Sequence, residues 1–291
     1  QPGIPDLAIS TDGTPFVAWA QPDPEEPWNN NRNVYAARWD AQQQQWSRLG
    51  DAIERDIVHD ASSALLWLDS DADPVVALAR RDASNQDAIE VARWSSEGQT
   101  WAQMGAAFDA PARAGTVGLG RDANGTLLLV WRSNFQIFTH RFSAANNRWF
   151  SNARPTLDGF ARHAVWPEGR TTVSVFDRSG FRLMRSGPTD WQSLESGVRP
   201  APSSISAMGG MDVDANGNVV LAWMAHEDSR DLYVSRWVDE QWEPLATAPV
   251  EPQIDDHIQS ADTSVGGGRL LVGFVSVEQG NPRVIVREFL P

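Results

Sequence analysis

The chain has 291 residues but contains no cysteine, no lysine and only two tyrosines. The absence of cysteine excludes disulfides, thiolate catalysis and zinc sites with cysteine ligands. The absence of lysine excludes Schiff-base chemistry, a lysine general base and the phosphate-binding loop that requires a lysine. All 24 basic side chains are therefore arginine.

The sequence also lacks long hydrophobic runs and basic clusters. No apolar run approaches the roughly 20 residues that a membrane-spanning helix needs, so we expect no membrane span. The 38 acidic residues outnumber the basic ones, which gives a formal net charge of -14. Binding to nucleic acid depends on clustered cations that displace counterions from phosphates, so we expect no nucleic-acid partner.

A repeat of about 50 residues runs through the whole chain. A large apolar residue late in the second strand recurs at Trp19, Leu78, Trp131, Phe176, Trp223 and Phe274. An arginine late in the third strand recurs at Arg38, Arg93, Arg141, Arg185, Arg236 and Arg287. A tryptophan at the start of the fourth strand recurs at Trp46, Trp101, Trp149, Trp191 and Trp242, with no sixth member. Six copies of this length are typical of propeller blades.

The third-strand segments, such as NVYAARW and DLYVSRW, alternate with the period of two that is typical of strands. The sequence therefore predicts an all-β, six-bladed propeller of four-stranded antiparallel blades in a single domain, residues 1–291. The predicted blades cover approximately residues 5–50, 62–105, 116–153, 163–195, 204–246 and 258–291. The last blade would keep three strands unless the chain is part of a longer one, and its open edge would then offer a surface for assembly.

The segments PDLAISTDGTPFVAW, NVYAARW and QQWSRLG resemble the tandem propeller repeats of secreted and surface proteins from high-GC Gram-negative bacteria. The resemblance covers essentially the whole chain and is carried by the turn glycines, the Arg-Trp pairs and the fourth-strand tryptophans. Proteins with such repeats are often described as sialidase-like or lectin-like. The resemblance implies a secreted, periplasmic or cell-surface location, and a start at Gln1 is what removal of a signal peptide would leave.

Most tryptophans recur in register, so we interpret them as packing between blades. The third-strand arginines are interpreted as stacking on tryptophan or pairing with a carboxylate, and neither series is interpreted as a site. Trp67 and Trp166 lie in first strands and are predicted to belong to the core. Trp28 is out of register in a polar loop, where it either stacks on a sugar or anchors its own loop. The candidate ligand-binding residues are those of the loops between second and third strands: Trp28, Asn30, Arg32, Arg80, Arg81, His226 and Glu227.

Two groups of residues could bind a metal, although no cofactor is required. Oxygen ligands at alternate positions, as calcium prefers, occur at Asp69, Asp71 and Asp73 and at Asp212, Asp214 and Asn216. The competing interpretation is that these residues only shape a hairpin turn. Histidines near the first strands of alternate blades could hold a transition metal at a channel mouth: His59, His163 and His257.

A sialidase requires a tyrosine nucleophile, but Tyr35 and Tyr233 occupy equivalent third-strand positions and are interpreted as structural. The turn motif S-x-D-x-G-x-x-W is also missing. The leading hypothesis is a non-catalytic binding module that recognises a carbohydrate or a protein through one face. Two alternatives remain open, namely a metal-dependent or carboxylate-based enzyme at the channel mouth and a structural subunit of a surface assembly.

Overall fold

The computed structural model consists of antiparallel sheets built from consecutive strands. It describes residues 5–22, 32–53, 60–81, 84, 86–110, 114–151, 157–158, 160–166, 170–177, 180–187, 190–194, 205–214, 216–225, 232–239, 241–245, 258–266, 269–278 and 281–289. The chain divides into two compact units, Gln1–Phe160 and Ala161–Pro291. No helix within the described ranges is long and apolar enough to cross a membrane.

The first unit contains three blades. The first blade consists of β1 (Asp6–Ile9), β2 (Pro15–Pro22), β3 (Arg32–Asp40) and β4 (Gln45–Arg48). The second consists of β5 (Asp60–Leu68), β6 (Pro74–Arg81), β7 (Asp87–Ser95) and β8 (Thr100–Gln103), and the short β9 (Phe108–Ala110) pairs with the first residues of β7. The third consists of β10 (Ala114–Arg121), β11 (Leu127–Ser133), β12 (Gln136–Ser143) and β13 (Arg148–Ser151), and β14 (Leu157–Asp158) pairs with β12.

The second unit contains two further blades and a smaller sheet. The fourth blade consists of β15 (Phe160–Val165), β16 (Thr172–Asp177), β17 (Gly180–Ser186) and β18 (Trp191–Ser193). The fifth consists of β19 (Ile205–Val213), β20 (Val219–Ala225), β21 (Leu232–Val238) and β22 (Gln241–Pro244). The last sheet consists of β23 (Ile258–Gly266), β24 (Arg269–Glu278) and β25 (Asn281–Phe289).

The predicted six-bladed propeller is wrong in its number of four-stranded blades. The structure has five such blades, and the last sheet has three strands in the part of the chain that the structure describes. A tryptophan is the first or second residue of the fourth strand in all five blades, and no tryptophan follows Trp242 in the sequence. The all-β class and the four-stranded antiparallel blade are confirmed. The assignment of the whole chain to one domain stays a prediction.

The same five-residue turn joins the first two strands in four of the blades. It starts at Ser10, Asp69, Asp122 and Asp214, where the first N–H donates to the fifth carbonyl and the fourth N–H donates to the first carbonyl. In the three aspartate copies, Oδ1 also accepts the N–H groups of the third and fifth residues. The fourth residue has a positive φ and is Gly13, Ala72, Gly125 or Gly217. Aspartate and a residue that tolerates the left-handed conformation therefore fix these hairpins.

The fourth-strand tryptophans tie neighbouring blades of the first unit together. Nε1 of Trp101 donates to the carbonyl of Leu49, 2.8 Å away, and Nε1 of Trp149 donates to the carbonyl of Met104, 2.7 Å away. Each also packs on an aromatic residue of its own third strand, in the pairs Trp94–Trp101 and Phe142–Trp149. The predicted packing of these tryptophans between blades is confirmed.

Gly105 and Gly125 provide a matched test of this packing. Both have a positive φ, +74° and +75°. A Cβ at Gly105 would lie 3.1 Å from the carbonyl oxygen of Asn147 and 3.2 Å from Cδ1 of Trp149, whereas a Cβ at Gly125 would meet nothing within 4 Å.

We expect Gly105→Ala to lower the free energy of unfolding more than Gly125→Ala does. Both variants force alanine into the left-handed region, which costs about 1 kcal/mol. Only Gly105→Ala also crowds the next blade, which should add about 1–2 kcal/mol. Urea denaturation followed by tryptophan fluorescence measures the difference, and equal losses would contradict the proposed crowding.

His140, on β12, is part of the core of the third blade. Its Nδ1 lies 2.9 Å from Nε1 of Trp131, and its ring stacks on Phe108 with centroids 4.5 Å apart. Because an indole N–H only donates, Nδ1 must be the unprotonated acceptor. Burial lowers the pKa of His140 below its ordinary value of 6.5.

The lowered pKa of His140 predicts a loss of stability in mild acid. Above pH 6.5 the histidine is neutral in both the folded and the unfolded chain. As the pH falls below that value, the unfolded chain binds the proton more readily, so the free energy of unfolding decreases. We expect this decrease between pH 7 and pH 5 to be steeper for the native protein than for His140→Gln, which keeps an acceptor for Trp131. Parallel curves for the two proteins would refute the assignment.

Candidate functional site

A groove of about 440 Å³ lies between the second and third blades of the first unit. It is lined by the β5–β6 and β10–β11 turns with the strand residues next to them, by Arg93 of β7, by the end of β12 and by Met104, which follows β8. The lining residues are Trp67, Asp69, Asp71, Val75, Arg93, Met104, Arg121, Asn124, Gly125, Thr126, Leu127, Phe142 and Ala144. A volume of this size is within the range of small-ligand sites.

Arg93 holds one wall of the groove together. Its Nη2 lies 2.6 Å from Asp69, 3.1 Å from Asp71 and 3.2 Å from Asp73, in each case measured to Oδ2. The Asp69 side chain is only 5% exposed, but that of Asp71 is 73% exposed. The hydroxyl of Ser96 donates to Asp73, which fixes a second oxygen of the cluster. The turn is therefore a rigid, charged wall rather than a loose loop.

Arg121 lies on the opposite side of the groove and covers part of Trp67. Its guanidinium carbon is 5.4 Å from the centre of the Trp67 ring, and its Nη1 donates to the carbonyl of Gly125, 3.1 Å away. None of its contacts within the described part of the chain is with a carboxylate. The aromatic surface of the groove therefore carries a cation–π contact that a ligand can extend or displace.

Several polar atoms of the groove are left for a ligand. All contacts between Arg93 and the described residues use Nη2, so the two N–H bonds of Nη1 are not engaged by them. Asp71 uses only Oδ2 on Arg93, which leaves Oδ1 as an acceptor. Asn124 is exposed at the mouth and commits its backbone N–H, but not its side chain, to the turn. Donors, acceptors and an aromatic face thus occur together.

The sequence matches no protein-family model and no curated protein. Among solved structures it is similar to a protein of unknown function from Dyadobacter fermentans, with a TM-score of 0.67 and 12% identity over 100% of this chain and 95% of that chain. It is similar to an alpha-L-arabinanase from Penicillium chrysogenum complexed with arabinobiose (TM-score 0.64, 14% identity, 99% and 93% covered). It is also similar to a Hadza microbial sialidase (TM-score 0.62, 12% identity, 99% and 65% covered).

The chain has the β-propeller fold. Identities of 12–14% carry that conclusion and no further one, because one propeller scaffold hosts many unrelated sites. The predicted likeness to sialidase-type propellers is confirmed at the level of the fold.

The arginines predicted as ligand contacts are held by acidic neighbours at the opposite end of the blade. Nε of Arg80 lies 2.6 Å from Glu90, and Nε of Arg81 lies 2.6 Å from Asp87. The buried Asp87 also accepts the N–H of Ala114, 2.8 Å away, and so joins the second and third blades. These ion pairs favour a structural role, whereas the ligand-binding role stays a prediction.

Of the remaining predicted ligand residues, the structure describes only Arg32. Arg32 opens β3 and is half-buried. The others lie outside the described residues, namely Trp28, Asn30, His226 and Glu227. The ligand-binding role of these residues also stays a prediction.

The candidate calcium residues lie in two hairpin turns, except Asp212, which is in β19. Asp69, Asp71 and Asp73 surround Arg93, so a calcium ion would have to displace a guanidinium. Oδ1 of Asp214 accepts the N–H of Asn216, 2.9 Å away, and Oδ1 of Asp212 accepts the N–H of Val213, 2.8 Å away. Within the described ranges no group of three or more histidine, aspartate or glutamate side chains is arranged to hold a metal.

Of the candidate channel histidines, His59 and His257 lie outside the described residues, and His163 lies on β15. Their role as metal ligands stays a prediction.

The predicted core position of Trp67 is confirmed in part, since it packs, partly buried, against the core cluster of the second and third blades. That position alone gives no indication of the groove beside it. In the other copies of the turn, the equivalent position is Ala8, Gly120 or Asp212. The sequence does contain one signal for the groove, namely a tryptophan that departs from the repeat next to an acidic turn. The adjacency of Trp67 to Arg121 and Phe142, in contrast, depends on how two blades pack.

We expect Arg93→Gln to lower the free energy of unfolding by about 1–3 kcal/mol, because three carboxylates would then face each other without their cation. Arg121→Gln removes the same charge from the same groove but breaks no ion pair with a described residue, so its loss should be about 0.5 kcal/mol. Thermal and urea denaturation compare the two variants. Equal losses would show that the ion-pair cluster does not stabilise the turn.

Proposed function

We propose that the protein is a non-catalytic binding module that recognises a carbohydrate in the groove between its second and third blades. The observation that carries the proposal is the combination of Trp67 with uncommitted donors and acceptors on two rigid turns. We also propose that it acts in the periplasm, at the cell surface or outside the cell, as the repeat resemblance implies.

The chemistry of a sugar matches that of the groove. A sugar ring has apolar C–H faces that stack on an indole, and its hydroxyls both donate and accept hydrogen bonds. Arg93 Nη1 can donate to one hydroxyl while Asp71 Oδ1 accepts from its neighbour. The Asn124 amide can do either, and Val75, Met104 and Leu127 add apolar surface to the lining.

Binding is favoured over hydrolysis by the positions of the carboxylates. A glycosidase places two carboxyl groups on opposite sides of the scissile bond, roughly 5–9.5 Å apart. The three acidic residues of the Arg93 cluster instead gather around one nitrogen, on one wall of the groove. Asp122, in the β10–β11 turn, is not a lining residue and its Oδ1 accepts two backbone N–H groups of its own turn. The solved neighbours that act on or bind saccharides, an arabinanase complexed with arabinobiose and a sialidase, support a carbohydrate as the ligand class. A protein partner, a channel enzyme and assembly through the last sheet stay predictions.

The proposal predicts that Asn124→Trp abolishes binding, because an indole at the mouth would fill the groove without altering the core. Trp67→Ala should weaken binding at least about tenfold through the lost stacking surface. The matched control is Trp46→Ala, since Trp46 is an exposed tryptophan of the first blade outside the groove. Isothermal titration with cellobiose, lactose and arabinobiose, supported by a glycan array, measures the affinities.

Unfolding curves of each variant separate a lost site from a lost fold. The proposal fails if no saccharide binds the native protein. It fails equally if a bound saccharide keeps its affinity in both Asn124→Trp and Trp67→Ala, because the site would then lie elsewhere.

A further inference from the structure

The charges around the groove do not balance. Three carboxylates, those of Asp69, Asp71 and Asp73, contact the single guanidinium of Arg93. Arg121 adds one further positive charge to the lining. Asp122, in the second turn that borders the groove, adds another carboxylate whose Oδ1 is bound to two backbone N–H groups. Four negative charges therefore stand against two positive ones.

The lining itself carries Asp69, Asp71, Arg93 and Arg121, and the two surplus carboxylates, Asp73 and Asp122, lie in the turns that border it. Asp71 lines the groove and is the most exposed member of the Arg93 cluster, with a side chain 73% exposed against 5% for Asp69 and 19% for Asp73. Arg93 is 40% exposed, but its charge is already shared among three anions. The chain as a whole adds a formal charge of -14, so no distant excess of cations offsets the local field.

We infer that the groove selects neutral saccharides and rejects acidic ones such as uronic or sialic acids. The inference rests on the proposed carbohydrate binding. An acidic sugar brings a carboxylate next to Asp71, and like charges placed together at an interface are strongly unfavourable. A neutral sugar uses the same groups without that penalty, because its hydroxyls accept from Arg93 and donate to Asp71. The selectivity is therefore produced by electrostatics and not by the shape of the groove.

Uronic acids and their methyl esters test the inference, because each acid has the same stereochemistry as its ester but differs from it in charge. Titrations would use trimers of galacturonate, glucuronate and mannuronate, each as the free acid and as the methyl ester, at low ionic strength. We expect the ester of whichever trimer binds to bind about tenfold more tightly than its acid. The ratio should shrink in 0.5 M sodium chloride, because salt screens a partly exposed charge.

Asp71→Asn isolates the responsible charge. Asparagine keeps an acceptor oxygen of the same size, and Asp69 and Asp73 still hold Arg93. We expect the preference for the ester over the acid to fall to about threefold, because the variant removes the charge that repels the acid. The ratio is the readout, since Asp71 also accepts from the sugar and its replacement changes the affinity for both trimers. Glu97→Gln is the matched control, since it removes one negative charge from the β7–β8 turn of the same blade outside the groove. Its ratio should equal that of the native protein.

The outcomes separate the inference from the proposed function. If an acid binds as tightly as its ester and Asn124→Trp abolishes both, carbohydrate binding stands and the charge selectivity is wrong. If the ratio is the same in Asp71→Asn as in Glu97→Gln, the selectivity does not arise from the groove and the inference is again overturned. If neither the esters nor the neutral disaccharides bind, the proposed function fails and the inference fails with it.

Discussion

The hydrogen bond from a fourth-strand indole to the backbone of the preceding blade is the constraint on which the described site depends. Trp149 reaches the carbonyl of Met104, and Trp101 makes the equivalent bond to Leu49. A backbone carbonyl is present whatever side chain follows it, so the bond can be repeated while the sequence around it diverges. Met104 also lines the groove, so the residue that joins the two blades is itself part of the cavity between them.

The aspartate turns connect hairpin formation to the chemistry of the groove. Asp69 uses one carboxylate oxygen to accept two backbone N–H groups of its own turn and the other to hold Arg93. The residue that closes the hairpin thus also positions a guanidinium from the third strand. Arg236 repeats part of this arrangement in the fifth blade, at 3.7 Å from Asp214 and 3.2 Å from Glu243. In the second blade this aspartate–arginine arrangement forms a polar wall because a groove opens beside it.

Function in such a repeat protein is expected where the copies differ. The turn is nearly the same in four blades, but only the second places a tryptophan two residues before it. Solved propellers with 12–14% identity include an arabinanase, a sialidase and a protein of unknown function, so the scaffold alone does not choose among activities. The contact between Trp67 and Arg121, next to an acidic turn, distinguishes this copy of the repeat and is therefore a more specific indication of function than the fold.

The all-β class, the four-stranded blade and the packing of Trp101 and Trp149 between blades could be predicted from the sequence, because strand alternation and turn residues are local signals that recur at each copy. The sequence did not predict the correct number of four-stranded blades, since the last repeat has the strand pattern without the tryptophan strand.

The pairing of Arg80 with Glu90, the pairing of Arg81 with Asp87 and the groove at the other end of the blades could not be predicted from the sequence. The physical reason is that the groove exists between two sheets. Trp67 and Phe142 lie 75 residues apart in the chain, and their adjacency depends on the packing of one blade against the next.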